Sequence, residues 1–305
     1  MTGSVRETKL ARGPNHLGGV VQKDYALSPG RDWLPALRKL RDRYLRVPGG
    51  SLLYRFYEQR LLNQVRAFPL PRHVGIVLDG NRRFGRRQNL ASPHEIYSAG
   101  AEKLDDLLNW CVDLRLGAIT LWVLSTDNFD RRPEELSGIL SALEYKLKLL
   151  ADDPQIHQQR IRVRAIGRLN LLPASTLAAV RAAEAATDGY NGMYLTIAAA
   201  YGGQQEITDA VQSLLREQLA SGKTLEQVVG LVTPEIIDSY VYSPNLPAPD
   251  LIIRTSGEIR LSGFLLWQSA YSEFYFTDVF WPEFRQIDFL RAIRSFQQRH
   301  RRYGQ

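Results

Sequence analysis

The sequence has very little cysteine and no long apolar run. Cys111 is the one cysteine among 305 residues, so neither an intrachain disulfide nor a cysteine-based zinc site can form. A reducing compartment fits this composition best. The longest apolar stretches, such as residues 118–124, are far shorter than the ~18 residues needed to span a bilayer, and the chain opens without a signal-peptide pattern. We therefore expect a cytoplasmic protein.

The common nucleotide-binding motifs are also missing. No Gly-x-Gly-x-x-Gly follows an apolar run and no Gly-x4-Gly-Lys-Ser/Thr occurs, which disfavours a dinucleotide cofactor and a P-loop ATP site. The absence of a Gly-x-Ser-x-Gly elbow disfavours serine-hydrolase chemistry.

Positive charge is concentrated at the amino-terminal end. The net charge is +7, and residues 1–50 alone carry a surplus of six positive charges. The remaining chain is almost neutral, so we expect no nucleic-acid partner. Residues 1–31, rich in Gly, Pro and Ser, predict a flexible basic arm. Residues 32–68 predict two helices, a basic one over 32–46 and a second over 52–66.

Residues 69–305 alternate short apolar runs with helical patterns. Strands are predicted over 73–78, 118–124, 162–166, 194–199 and 251–254, and helices near 96–115, 133–151, 174–187, 204–221, 234–242, 264–270 and 286–301. This alternation is typical of βαβ units. We predict an α/β fold with an open, mostly parallel sheet flanked by helices.

Polar groups follow four of the predicted strands, where an open α/β sheet binds its ligands. The segments are Asp79-Gly-Asn-Arg-Arg-Phe, Ser125-Thr-Asp-Asn-Phe-Asp-Arg, Ala200-Tyr-Gly-Gly and Arg254-Thr-Ser-Gly-Glu-Ile-Arg. Arginine forks match phosphate oxygens, glycines let backbone amides approach a ligand, and carboxylates hold Mg²⁺. These segments therefore predict a site for two polyanions and a metal.

Together with Glu273-Phe-Tyr-Phe-Thr-Asp and the closing Arg302-Tyr-Gly, these segments resemble, in order, the sequence blocks of the cis-prenyltransferases, also called the isoprenyl transferase or undecaprenyl diphosphate synthase family. The matches cover roughly residues 70–304. The resemblance implies an undecaprenyl diphosphate synthase-like fold and a catalytic domain over 69–305. It also implies a Mg²⁺-dependent homodimer that condenses isopentenyl diphosphate with an allylic diphosphate to leave a cis double bond.

The resemblance assigns roles to individual residues. Asp79 is implied to be a catalytic residue and metal ligand, and Glu273 a second metal ligand. Asn128 is implied to be catalytic, with Ser125 and Arg131 as substrate-binding residues near the reacting carbons. The resemblance implies that the allylic diphosphate is bound by Gly80, Asn81, Arg82, Arg83 and Phe84. It implies that isopentenyl diphosphate is bound by Arg254, Arg260 and Ser262, and that Arg302 and Gly304 complete this second site across a dimer interface. Simpler alternatives are a helix cap for Asp79, a solvated side chain for Arg82, packing for Phe84 and a basic tail for Arg302.

Product length rests on fewer residues. Val123 aligns with a position where small side chains accompany long products and bulky ones short products, and Tyr97 replaces the family's usual His. Closer likeness to actinobacterial short-chain Z-farnesyl synthases favours short products. The alternatives are a decaprenyl or undecaprenyl carrier-lipid synthase and a non-catalytic partner subunit, which would be expected to lose the Asp-Gly-Asn segment. The basic helix over 32–46 suits peripheral contact with anionic lipid at the inner membrane face, or dimer packing.

Overall fold

The computed structural model describes residues 50–303, with side chains described for residues 54–299. The strands are β1 (His73–Val77), β2 (Ala118–Trp122), β3 (Ile161–Ile166), β4 (Met193–Ala198), β5 (Leu251–Arg254) and β6 (Glu273–Phe276). The helices are α1 (Gly50–Arg66), α2 (Asn81–Arg87), α3 (Pro93–Asp113), α4 (Pro133–Asp152), α5 (Pro154–Gln158), α6 (Ala174–Ala186), α7 (Gly203–Ala220), α8 (Leu225–Val229), α9 (Pro234–Tyr240) and α10 (Gln286–Tyr303).

The six strands form one sheet in the order β3-β4-β2-β1-β5-β6, and every neighbouring pair is parallel. Parallel pairing places all carboxyl ends at one edge of the sheet. The predicted open parallel sheet flanked by helices is confirmed. The predicted helix over 52–66 is present as α1, whereas the predicted helix over 32–46 and the arm over 1–31 lie outside the described residues, so the division into three segments stays a prediction.

Alternate residues of the strands supply two cores. Ile76, Leu121 and Ile253 point into the main core, where α1, α3, α4, α6 and α10 pack against one face of the sheet. The other face carries a smaller core, in which Phe264 and Leu265 cover it. Strands buried on both faces explain why the sequence shows continuous apolar runs rather than alternation.

Towards the carboxy-terminal end one predicted helix was wrong and one strand was missed. Residues 264–270 form turns instead of a helix, because Gly263 and Leu265 adopt left-handed backbone angles, with φ of 87° and 45°. The segment then buries Phe264 and Leu265 against the sheet. Strand β6 was missed, since its Phe and Tyr residues fall on both faces and give no alternation.

Candidate active site at the carboxyl edge of the sheet

Asp79 lies at the centre of a cluster beyond the ends of β1 and β5. Val77 pairs with Arg254 in the sheet, so the residues after both strands meet. One carboxylate oxygen of Asp79 accepts a hydrogen bond from Nη2 of Arg254 at 3.0 Å, and the other accepts one from the amide of Gly80 at 2.7 Å. The side chain of Asp79 stays 33% exposed. The carboxylate is thus held in place and still open to a ligand.

Arg254 connects the two halves of this cluster. Its Nη1 donates to the carbonyl oxygen of Arg260 at 2.5 Å and to Oγ of Ser262 at 2.8 Å. The side chain is only 6% exposed, and its Nε is buried without a hydrogen-bond partner. Arg254 therefore fixes the loop that carries Arg260 and Ser262 relative to Asp79.

Arg83 and Arg260 supply the accessible positive charge. Nη2 of Arg83 donates to Oγ of Ser256 at 2.6 Å and to Glu258 at 3.1 Å, and lies 4.0 Å from Asp79. Arg260 pairs with the other carboxylate oxygen of Glu258 and is 60% exposed. A single carboxylate holds both guanidinium groups in position, and a diphosphate could take over either of them.

The backbone around these side chains needs unusual conformations. Gly80 has a φ of 100°, and a Cβ there would lie 2.9 Å from both the Phe280 ring and Cβ of Ser256. Ser256 and Ser262 are left-handed without being glycine, with φ of 76° and 54°. Strained backbone of this kind concentrates at functional sites.

The other predicted residues of the first segment have different surroundings. Asn81 begins α2 and donates from Nδ2 to the carbonyl of Leu78 at 2.9 Å, while its Oδ1 is buried without a partner. Arg82 points away from Asp79 to an ion pair with Glu135 at 3.5 Å and is 56% exposed. Phe84 is half-buried on α2. The structure therefore brings Gly80 and Arg83, but not Arg82, to the Asp79 cluster.

Ser125, Asn128 and Arg131 form a second group after β2. Oδ1 of Asn128 accepts from the amide of Ser125 at 3.2 Å and closes a short 3-10 turn over Thr126–Asp130. Arg131 donates from Nη1 to the hydroxyl of Tyr97 at 3.2 Å. Burial raises the pKa of Tyr97 above its ordinary value.

Val123 lies between β2 and this turn, half-buried against the main core. Four apolar side chains of the same core are buried, and each packs as an ordinary core residue: Leu121, Leu124, Leu140 and Ile197.

Glu273 is not brought to Asp79 within one chain. It opens β6 level with Leu251, at the amino edge of the sheet, whereas Asp79 follows the carboxyl end of β1. Five residues along a strand correspond to roughly 15 Å. Glu273 instead accepts from Arg299 at 2.9 Å. Arg302 lies on α10 with its side chain outside the described part, and Gly304 lies outside the described residues.

A metal held by Asp79 would need further ligands from elsewhere. Among the described residues, no three His, Cys, Asp or Glu side chains cluster as a protein-only metal site. Mg²⁺ is commonly bound by one or two carboxylates, with substrate phosphates and water completing six oxygen ligands. Asp79 offers a single, partly exposed carboxylate beside arginine side chains that can bind a diphosphate, and this arrangement fits that binding mode.

Sequence reasoning missed a buried carboxylate behind the site. Glu206 on α7 is fully buried and accepts from the hydroxyl of Tyr201, from Nε2 of Gln268 at 2.9 Å and from the amide of Tyr242 at 3.0 Å. Burial raises the pKa of Glu206. These bonds hold the segment after Ser262 against α7, and no spacing in the sequence distinguishes Glu206 from a surface carboxylate. Ser256 and Glu258 were also missed, although both follow Arg254 in the same loop.

Comparisons with known proteins agree on one family. Residues 77–304 match the model of a family described as "Putative undecaprenyl diphosphate synthase". An isoprenyl transferase of Deinococcus radiodurans is 55% identical over 256 residues, covering 84% of this chain and 93% of that protein. A (2Z,6E)-farnesyl diphosphate synthase of Thermobifida fusca is 49% identical over 260 residues, covering 85% and 98%. The crystal structure of lavandulyl diphosphate synthase from Lavandula x intermedia, in complex with dimethylallyl diphosphate, has a TM-score of 0.70 and 29% identity, covering 75% of this chain and 95% of that one.

Proposed function

The chain belongs to the cis-prenyltransferase family of prenyl-group transferases, and from that premise we propose that it joins isopentenyl diphosphate to an allylic diphosphate, leaving a cis (Z) double bond. The observation that carries this proposal is the cluster of Arg83, Arg254 and Arg260 around Asp79 at the ends of two adjacent strands. Two diphosphates need two cationic subsites side by side. The buried side chain of Arg254 holds the two loops together, and the more exposed guanidinium groups of Arg83 and Arg260 can each bind phosphate oxygens.

In this proposal, the segment of Gly80, Asn81 and Arg83 holds the allylic diphosphate, and Arg260 and Ser262 hold isopentenyl diphosphate. The bond between the allylic carbon and its diphosphate oxygen breaks as the isopentenyl double bond attacks that carbon. Arginine groups stabilise the negative charge that develops on the departing diphosphate. The cation left on the former isopentenyl unit then loses a proton to a diphosphate oxygen or to a water beside Asn128, which forms the new double bond.

The residues present fit a Mg²⁺ ion held by Asp79. When bound there, Mg²⁺ supplies charge neutralisation to a diphosphate. Asp79 holds the ion, and Arg254 keeps the Asp79 carboxylate oriented through their 3.0 Å hydrogen bond. Glu273 reaches the same ion only if a second copy of the chain contributes it, because it lies at the opposite edge of its own sheet.

We propose that the enzyme is a homodimer. Residues 259–271, on both sides of Arg260 and after it, expose large apolar side chains, with Tyr271 fully exposed, Ile259 80% exposed and Leu266 37% exposed. Strand β6 follows at once as the open edge of the sheet. Unpaired edges and exposed apolar groups of this kind favour a protein partner. Arg302 and Gly304 then complete the isopentenyl diphosphate site of the partner from the carboxy-terminal end.

We propose short products of the Z-farnesyl type. Half-buried Val123 is intermediate in size at the position that controls length, and the relative from Thermobifida fusca is named as a Z,E-farnesyl diphosphate synthase. The family description, which names undecaprenyl diphosphate synthase, supports the long-chain carrier-lipid alternative. A non-catalytic partner subunit is disfavoured because Asp79, Arg83 and Arg254 are all present, and both arginines form ion pairs with Asp79.

The experiment is an incubation of the purified full chain with labelled isopentenyl diphosphate, Mg²⁺ and either geranyl or farnesyl diphosphate, with products separated by length. One fifteen-carbon product from geranyl diphosphate supports the short-chain proposal. A ladder that ends near fifty carbons or beyond supports the carrier-lipid synthase. No incorporation with either primer supports the partner-subunit reading and contradicts the proposed reaction.

We also propose that the protein works at the inner membrane face through its basic amino-terminal segment. No helix in residues 50–303 is long and apolar enough to cross a membrane. Residues 1–50 carry most of the net positive charge, which suits an anionic lipid surface. Flotation with anionic liposomes should fall when residues 38–46 lose their arginines, and unchanged flotation would contradict this contact.

A further inference from the structure

The hydroxyl of Ser256 makes the shortest contact to the guanidinium group of Arg83. Nη2 of Arg83 donates to Oγ of Ser256 at 2.6 Å. The same nitrogen lies 3.1 Å from Glu258 and 4.0 Å from Asp79. Cζ of Arg83 also lies over the ring of Phe280, 5.7 Å from its centroid. These contacts hold the group in place, and 37% of the Arg83 side chain stays exposed to a ligand.

The backbone of Ser256 has a conformation that suits glycine better than serine. Its φ is 76°, in the left-handed region, where a side chain is unfavourable. The amide of Ser256 donates to the carbonyl of Val279 at 2.8 Å and fixes this conformation. The next amide, of Gly257, donates to the carbonyl of Thr277 at 2.9 Å. A side chain at position 256 therefore carries a conformational cost that glycine would avoid.

The hydroxyl of Ser256 differs from the carboxylates around Arg83 because it carries no charge. Glu258 pairs with both Arg83 and Arg260, so a diphosphate competes with Glu258 for both guanidinium groups. Ser256 leaves the charge of Arg83 available to a ligand, and the residue itself is only 4% exposed. Ser256 can therefore keep its hydrogen bond to Arg83 after a diphosphate has replaced Glu258.

Ser256 also connects the two proposed subsites. It follows Arg254 by two residues, in the loop that carries Arg260, whereas Arg83 lies on α2. A Cβ on Gly80 would lie 2.9 Å from Cβ of Ser256, so the serine side chain has room because residue 80 is glycine. The hydroxyl is thus an uncharged contact through which the isopentenyl diphosphate loop orients an arginine of the allylic segment.

We propose that Ser256 is a positioning residue of the allylic diphosphate subsite, and that its hydroxyl orients Arg83 toward the diphosphate. The inference rests on the proposed function, because that function gives Arg83 its ligand. Since Ser256 acts through Arg83, loss of the hydroxyl weakens binding of the allylic diphosphate and leaves the isopentenyl diphosphate subsite as it was.

Two substitutions separate this role from support of the fold. Ser256→Ala removes the hydroxyl and keeps the left-handed strain, whereas Ser256→Gly removes both. We expect Ser256→Gly to unfold at a higher urea concentration than Ser256→Ala. Both variants should nevertheless bind geranyl diphosphate with Mg²⁺ about tenfold more weakly than the native chain, because both lose the same charged hydrogen bond. Titration calorimetry without isopentenyl diphosphate measures this binding, since no condensation can then occur.

Arg115 provides a matched control for the strain. It is exposed and left-handed, with a φ of 55°, directly after the residue that caps α3. Arg115→Gly should unfold at a higher urea concentration and bind geranyl diphosphate like the native chain. Affinities of the two Ser256 variants that follow their urea midpoints would make Ser256 a structural residue and would overturn the proposal.

Steady-state rates with both substrates give a second readout. KM for geranyl diphosphate should rise about tenfold in both Ser256 variants, while KM for isopentenyl diphosphate should change by less than about twofold. An equal rise in the two KM values would show that the whole loop is displaced, and it would contradict a role that acts through Arg83.

A double-mutant cycle with Arg83→Ala decides whether Ser256 acts through that arginine. In this background, Ser256→Ala should weaken geranyl diphosphate binding by less than about twofold more. A further tenfold loss would overturn the proposal. Binding of geranyl diphosphate by the native chain without incorporation of labelled isopentenyl diphosphate would contradict the proposed reaction alone. No binding of either geranyl or farnesyl diphosphate by the native chain would overturn both.

Discussion

Replacement of Arg254 by lysine tests whether this side chain holds the two halves of the active site together. Its two Nη atoms make hydrogen bonds to Asp79, to the Arg260 carbonyl and to Ser262 at 2.5–3.0 Å. Lysine keeps the charge, but its single nitrogen cannot reproduce the fork. At 6% exposure, solvent screening does not weaken these bonds much.

Losing one or two charged hydrogen bonds should lower the free energy of unfolding by about 2–4 kcal/mol. Displacement of the Asp79 carboxylate and the Arg260 loop should lower kcat/KM for isopentenyl diphosphate by about 10²–10³. Urea unfolding followed by circular dichroism measures the first, and initial rates with labelled substrate measure the second.

Arg164→Lys is a matched control. Arg164 pairs at 3.0 Å with Asp188, which is 66% exposed, at the far edge strand β3. Exposed pairs contribute little, so the control should shift unfolding by less than about 0.5 kcal/mol and leave kcat/KM unchanged. If Arg254→Lys behaved like this control in both assays, Arg254 would not be the connecting group that the geometry indicates.

Three further predictions concern the frame around the site. Gln297→Ala should destabilise by about 1–3 kcal/mol in urea, because the side chain donates to three carbonyls at the end of α1, while exposed Gln298→Ala should not. Gly100→Ala should cost about 1–3 kcal/mol by thermal or urea unfolding, because its Cβ would lie 2.4 Å from Oδ1 of Asn81; an equally stable variant would contradict that contact. Burial lowers the pKa of His73, so its neutral form stabilises the fold fully above about pH 6.5 and that stability is lost as the pH falls further. Unfolding free energies at pH 7.5, 6.5 and 5.5 should fall less steeply in His73→Asn than in the native chain, and equal slopes would count against this role.

The fold and the position of the site could be predicted because they depend on local patterns. Short apolar runs between helical periods specify parallel strands, and parallel strands bring the segments after them to one edge. Asp79, Arg83, Arg254 and Ser262 therefore meet as expected, although they are up to 183 residues apart in sequence.

Tertiary packing determined what the sequence patterns did not predict. The segment 264–270 has helical apolar spacing, but the left-handed backbone at Leu265 turns it into a cover for the second core. Arg82 has the same side chain as Arg83, yet its place on α2 directs it to Glu135. The buried role of Glu206 depends on three partners from separate loops, which no local pattern encodes.

The most direct test of the central claim compares the native chain with Asp79→Asn for incorporation of labelled isopentenyl diphosphate in the presence of Mg²⁺. Asparagine keeps the shape and can still accept from the Gly80 amide, but it removes the charge that pairs with Arg254 and would hold the metal. We predict steady turnover by the native chain and a loss of kcat of about 10³ or more in the variant, with the fold intact by circular dichroism. Equal turnover by both proteins would show that the chemistry takes place away from Asp79 and would contradict the proposed active site.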